Sequence, residues 1–193
     1  MNKFLILILC TTVTITFNQP SYAQRLIPNQ KGIEFVGSIP LIKGEKFFTR
    51  NHFGLGMSLT HYFKYANYAF LSAEYEQQTL SYRTYNVPMR EILLQVGYMQ
   101  PILSDRGKNI FSYLGFSTLC GYEELNKEKK LLPDGATLLD LSHFVYGGSI
   151  HSSIEIFLMD NLLFVLRAQG RFLFNSDLHY FRPALSVGFK FNF

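Results

Sequence analysis

The chain has 193 residues, a formal charge of +4 at pH 7, and 48% hydrophobic with 16% aromatic residues. So small and dispersed a charge argues against direct nucleic-acid binding. Of its two cysteines, Cys10 falls in a predicted leader, so Cys120 has no partner for an intrachain disulfide in the mature chain.

Met1-Asn2-Lys3 is a short basic start, residues 4–17 form an apolar, Thr-rich run, and Ser21-Tyr22-Ala23 supplies small residues before Gln24. This predicts a cleaved secretory signal peptide over residues 1–23 and one domain over residues 24–193. The run is short for a spanning helix, which needs about 20 residues. Cys10 lies too early for a lipoprotein signal. No later apolar run approaches spanning length, so an exported chain of this kind integrates only as a closed barrel.

Period-two patterning predicts the strands in order. The first covers residues 32–39, with Ile33, Phe35, Gly37 and Ile39 opposite Glu34, Val36 and Ser38. A charged loop follows to His52. The second strand covers 53–64, with Phe53, Leu55, Met57, Leu59 and Phe63 on one face and Gly54, Gly56, Ser58, Thr60 and Tyr62 on the other. After a tight connection at 64–67, the third covers 68–77, with Ser72, Glu74 and Glu76 inward. Residues 78–88 are predicted as a loop. The fourth strand covers 90–100, with Ile92, Leu94, Val96 and Tyr98 outward, and residues 101–109 form a turn.

The fifth strand, 110–122, is the least clear, because both faces hold apolar residues. Residues 123–143 are the longest connection. The sixth strand covers 144–158. A three-residue hairpin follows at Met159-Asp160-Asn161, where Asn161 is able to take positive φ. The seventh covers 162–174, with Arg167, Gln169 and Arg171 inward. The last runs to Phe193 and is the most regular: Phe181, Pro183, Leu185, Val187, Phe189, Phe191 and Phe193 alternate with Arg182, Ala184, Ser186, Gly188, Lys190 and Asn192. Nothing downstream covers that apolar face, and lipid is the economical cover.

Eight such strands predict an all-β fold: an eight-stranded antiparallel up-and-down transmembrane β-barrel. Each strand suffices for a tilted crossing of about 9–11 residues. Long connections alternate with short ones, as in outer-membrane barrels with long outside loops and short periplasmic turns. The expected location is the outer membrane of a Gram-negative bacterium, both termini periplasmic. The terminal Phe fits the aromatic end common in such barrels. A soluble lipocalin-like binding barrel is the structural rival, but it needs an apolar interior and a polar exterior.

The inward face carries Glu34, Glu74, Glu76, Glu91, Glu155, Arg167, Arg171, Arg182 and Lys190. In a narrow barrel these charges must pair. A hairpin turning at Asp160 sets Ser153 opposite Arg167 and His151 opposite Gln169, with Glu155 diagonal to Arg167. Glu34 and Lys190 are expected to pair across the first-to-last seam. The group reads as a structural plug.

Among chemistries, His151, Ser153 and Glu155 share one face and suggest base, nucleophile and orienter of a lipid A-modifying enzyme. They point into the lumen, however, and an i, i+4 separation along a strand is about 13 Å. Asp140, Ser142 and His143 in the long loop are weaker still. The histidines at 52, 61, 143, 151 and 179 lack metal-ligand spacing. Asp134-Gly135 reads as a turn, and no glycine-rich phosphate loop is present. No catalytic, cofactor-binding or metal residue and no small-molecule substrate is assigned.

Several strings are distinctive. They include Gln24-Arg25-Leu26-Ile27-Pro28, Val36-Gly37-Ser38-Ile39-Pro40-Leu41-Ile42-Lys43-Gly44-Glu45-Lys46 and Ala73-Glu74-Tyr75-Glu76-Gln77-Gln78. Others lie at 94–101, 103–108, 121–126, 132–140, 167–171 and 182–189. On these, the chain resembles the TraO proteins of Bacteroidetes conjugative transposons over essentially the whole mature length. The resemblance implies a non-enzymatic part in conjugative DNA transfer, alongside outer-membrane lipid and other proteins of the mating apparatus. It brings no catalytic residues. The connection at 123–143 is the expected recognition surface.

Overall fold

The computed structural model describes residues 26–41, 52–82, 85–125, 142–176 and 180–193. The predicted leader lies outside them, as does most of the first and fifth connections. Eight strands form one closed antiparallel barrel in sequence order: β1 (Lys31–Pro40), β2 (Phe53–Tyr62), β3 (Tyr68–Tyr82), β4 (Tyr85–Ser104), β5 (Ile110–Leu125), β6 (Ser142–Phe157), β7 (Leu162–Phe174) and β8 (Phe181–Asn192). β1 pairs with β8 from Gly32↔Asn192 to Pro40↔Ala184, which closes the cylinder.

Alternation decides which way each side chain points. Phe35, Leu55, Ile92, Val96, Phe116, Ile150 and Leu185 are exposed outward, whereas Glu34, Gln95, Glu155, Arg171 and Lys190 are buried inside. An apolar exterior over a charged interior inverts the lipocalin arrangement and is that of a transmembrane barrel. Aromatic contacts mark both ends of the outer belt. Phe63 stacks on Tyr98 at 6.4 Å near one end, and Phe174 meets Tyr180 edge-on at 4.8 Å near the other.

The short turns at 63–67, 105–109 and 158–161 lie at the end where β1 begins and β8 finishes. Here Leu26 caps an apolar cluster of Tyr62, Tyr68, Phe70, Met99, Phe111, Tyr113, Phe157 and Leu163. Leu93, Leu119, Val145 and Leu173 form a second cluster further along the lumen. Inward Phe111, Tyr113 and Leu119 explain why β5 looked apolar on both faces. They build the two apolar layers while Leu114 and Phe116 face lipid.

Two local expectations are corrected, and one turn closes in its own way. Within the segment 78–88, expected as a loop, residues 78–82 and 85–88 continue the β3–β4 ladder from Gln78↔Met89 to Tyr82↔Tyr85. This hairpin runs past the last β2–β3 pair at Phe53↔Gln77 and the last β4–β5 pair at Met89↔Leu125. Beyond the membrane a ladder needs no apolar face, so polar residues hid the strand. Residues 101–104 likewise belong to β4, and Pro101 is accommodated beside a bulge before Leu103. Asn161 is absent from the positive-φ residues Asn29, Tyr65, Ala66, Lys108 and Asn175. The 158–161 turn closes instead through the Leu162 carbonyl, which accepts from Leu158 and Met159 N–H at 2.9 and 3.1 Å. The Asn161 carbonyl accepts from Asn192 N–H on β8 at 2.8 Å.

Candidate functional site

The lumen holds the chemistry-bearing residues, and inward alternation on every strand delivers them there. Near the short-turn end the predicted seam pair forms. Glu34 and Lys190 are cross-strand partners, with Lys190 Nζ 3.4 Å from Glu34 Oε2. Lys190 also reaches Glu155 Oε1 at 2.6 Å, and Arg167 Nη2 reaches Glu34 Oε1 at 2.6 Å. Glu155 therefore takes Lys190 as its ion-pair partner rather than the predicted diagonal Arg167. The Lys190 ammonium sits 4.0 Å from the Tyr68 ring centroid, and Tyr68 OH donates to Glu155 Oε1 at 2.6 Å. Two acids, two bases and a phenol thus meet across five strands.

A second ionic group lies toward the opposite end. Arg171 Nη2 meets Glu76 Oε2 at 2.5 Å, and Gln78 Nε2 donates to Glu76 Oε1. Arg182 bridges Glu91 at 3.2 Å and Glu123 at 2.9 Å. Ser176, in the connection after β7, donates to Glu123 at 2.8 Å and accepts from Arg182. Glu123 was assigned to the long connection. It continues the inward series of Ser117, Leu119 and Gly121, a parity that one further residue of strand would have revealed.

Between these groups lies His151. The predicted register is met, with His151↔Gln169 and Ser153↔Arg167. The predicted chemical grouping is not. His151 Nε2 lies 2.9 Å from Ser117 Oγ and 2.8 Å from Ser149 Oγ, while neither Ser153 nor Glu155 contacts it. Ser117 Oγ and Gln169 Nε2 both donate to Gln95 Oε1, at 3.2 and 3.1 Å. His151 Nδ1 has no hydrogen-bond partner, so no carboxylate orients the ring. The ring packs edge-on against Phe70 at 5.3 Å and is 1% exposed, between the two apolar layers. Among the described residues no three His, Cys, Asp or Glu side chains gather as metal ligands. Of the loop candidates, Ser142 and His143 lie in β6. Asp134, Gly135, Asp140 and His179 fall outside the described residues.

This filled lumen and apolar belt accompany a sequence that the family model described as Conjugative transposon protein TraO matches over residues 27–193. The chain belongs to the TraO family. No curated protein matches it. Solved structures similar to this TraO-family barrel include Neisserial surface protein A, with 11% identity, 85% of this chain and 96% of that one covered, and a TM-score of 0.56. The attachment invasion locus protein Ail of Yersinia pestis has 10% identity, coverage of 86% and 100%, and a TM-score of 0.53. The outer membrane protein OprG of Pseudomonas aeruginosa has 12% identity, coverage of 88% and 98%, and a TM-score of 0.51. At these identities the likeness establishes the eight-stranded barrel architecture that the TraO-family chain shares with them.

Proposed function

We propose that this chain is an outer-membrane component of a conjugative DNA-transfer apparatus, an anchor or docking post for other proteins of the mating machine. One observation carries the reading: a member of a conjugative transposon family is a barrel whose bore is filled by buried ion pairs and apolar layers. A filled eight-stranded bore passes neither DNA nor a folded protein, so the work falls to its two ends and its lipid-facing wall. His151 is sealed inside, and this favours a structural role over lipid A modification. Residues 1–23 act as the export signal, residues 24–193 form the mature barrel, and the short-turn end with both termini faces the periplasm. The partners are outer-membrane lipid and apparatus proteins, met through the connection at 126–141 and through the periplasmic turns.

The test is transfer frequency from a donor lacking only this chain, with and without the intact gene in trans. A large loss restored by the gene is expected. Unchanged transfer would remove conjugation as its necessary role and leave a barrel of envelope maintenance or surface exclusion.

A further inference from the structure

The short-turn end carries a feature that the filled lumen does not use. A concavity of about 630 Å³ lies between the 3-10 turn Lys64–Ala66, the chain entering β1, and the β4 bulge with the turn after it. Its volume is that of a ligand pocket. Leu26 and Phe111 form part of its lining. Both belong to the apolar cap of the lumen, so the trough reaches the end of the barrel. Tyr65 and Leu103 line its walls and are 87% and 70% exposed. A second concavity of about 490 Å³ shares the Pro28, Phe63, Lys64 and Tyr65 wall, so the two adjoin across it.

The walls are fixed. Tyr113 OH donates to the Ala66 carbonyl at 3.1 Å, Phe63 N–H to the Asn67 carbonyl at 2.8 Å, and Asn29 N–H to the Tyr62 carbonyl at 2.9 Å. An occupant would therefore meet a preformed surface and spare the ordering cost of binding. The charge is one-sided. Among the described residues, Lys64 and Lys108 line the trough and no carboxylate does. The carboxylate of the neighbouring turn, Asp105, is engaged by the N–H groups of Gly107, Asn109 and Ile110 at 3.1, 2.6 and 2.8 Å.

We propose that this trough docks an extended peptide segment of a periplasmic partner, one in which acidic residues alternate with apolar ones. Two adjoining concavities suit an extended peptide, whose successive side chains can occupy both, over a compact solute. Apolar side chains cover Tyr65 and Leu103, and the acids meet Lys64 and Lys108. The proposal rests on the periplasmic placement of this end, and deepens the docking role by naming the surface and the chemistry it reads.

The test uses the full mature chain in phosphatidylcholine nanodiscs, with empty nanodiscs as control. Two fluorescein-labelled short peptides are the probes, one alternating Glu with Leu and the other alternating Lys with Leu. Fluorescence anisotropy is expected to show about tenfold tighter binding of the acidic peptide. The Lys64→Glu, Lys108→Glu double variant inverts that preference, and Leu103→Ser weakens both peptides while circular dichroism shows the barrel intact. Equal binding of the two peptides, or a preference surviving charge reversal, overturns the proposal. Displacement of the acidic peptide by dihexanoyl phosphatidylglycerol at equal concentration also overturns it, and makes the trough an anionic headgroup site. These readouts need no conjugation. Their failure leaves the transfer role standing, whereas normal transfer without the gene removes that role and leaves the peptide preference.

Discussion

Glu34 on β1 and Lys190 on β8 face each other across the seam that closes the barrel, with Nζ 3.4 Å from Oε2. Both side chains are fully buried, and Lys190 is shared with Glu155 at 2.6 Å. Removing one partner of a buried pair costs about 3–5 kcal/mol, because the surviving charge loses its counter-ion. Lys190→Ala is expected to lower unfolding free energy by that amount in urea titrations of the vesicle-reconstituted protein. Lys190→Met with Glu155→Gln recovers most of the loss. Equal stability of Lys190→Ala and the parent would dismiss the seam ion pairs as a structural element.

Gly188 makes the same seam possible by close approach. A Cβ there would stand 2.1 Å from the Phe35 carbonyl oxygen and 2.8 Å from Val36 Cα. Backbone atoms cannot yield as a flexible side-chain tip does. Gly188→Ala is expected to cost about 1–3 kcal/mol, the usual range for overpacking. Gly37→Ala, whose Cβ meets nothing closer than 4.0 Å, serves as the tolerated control in the same titration. The idea fails if the two variants unfold alike.

Cys120 tests the lipid belt. It is exposed on the outer face of β5, paired with Leu94 and Tyr146. Hydrocarbon excludes a charged reagent from such a side chain. A membrane-impermeant maleimide is expected to leave the folded protein unlabelled in vesicles and to add one mass increment after unfolding in detergent. Rapid labelling of the folded protein would put this face in water.

The 105–109 turn gives a pH prediction. The N–H of Ile110, with those of Asn109 and Gly107, holds the Asp105 carboxyl below its usual range against slight desolvation. A depressed folded-state pKa adds stability above the unfolded value, and that stability is lost as pH falls through the folded one. The contribution is therefore present at neutral pH and disappears below about pH 4. Solvent competes at so exposed a turn, so Asp105→Ala is expected to cost only about 0.5–1 kcal/mol at pH 7. Variant and parent should converge near pH 2, as urea midpoints across pH would show. A constant gap would assign the loss to something other than the carboxylate.

Legibility followed distance along the chain. The inward parity of Glu34, Arg167, Arg171 and Lys190 was readable because alternation is local. The His151↔Gln169 register was readable because one short hairpin sets it. Glu155 was misassigned because its partner lies on β8, beyond the β6–β7 hairpin that the sequence makes visible. The pairing of 78–82 with 85–89 was missed because, outside lipid, no face must be apolar. Leu26 was missed as a cap because a lone Leu before a strand carries no periodic signal.

By itself the sequence determined the class of fold and the family. Eight alternating strands with one greasy face demand lipid cover, and the unusual strings at 36–46 and 94–101 are local text. Only the tertiary structure decided which buried charges meet, how the bore is sealed, and where the basic trough forms. Each of these depends on side chains from three or more strands converging in a closed cylinder, and closure is set by pairing between the two ends of the chain, a relation no local period encodes.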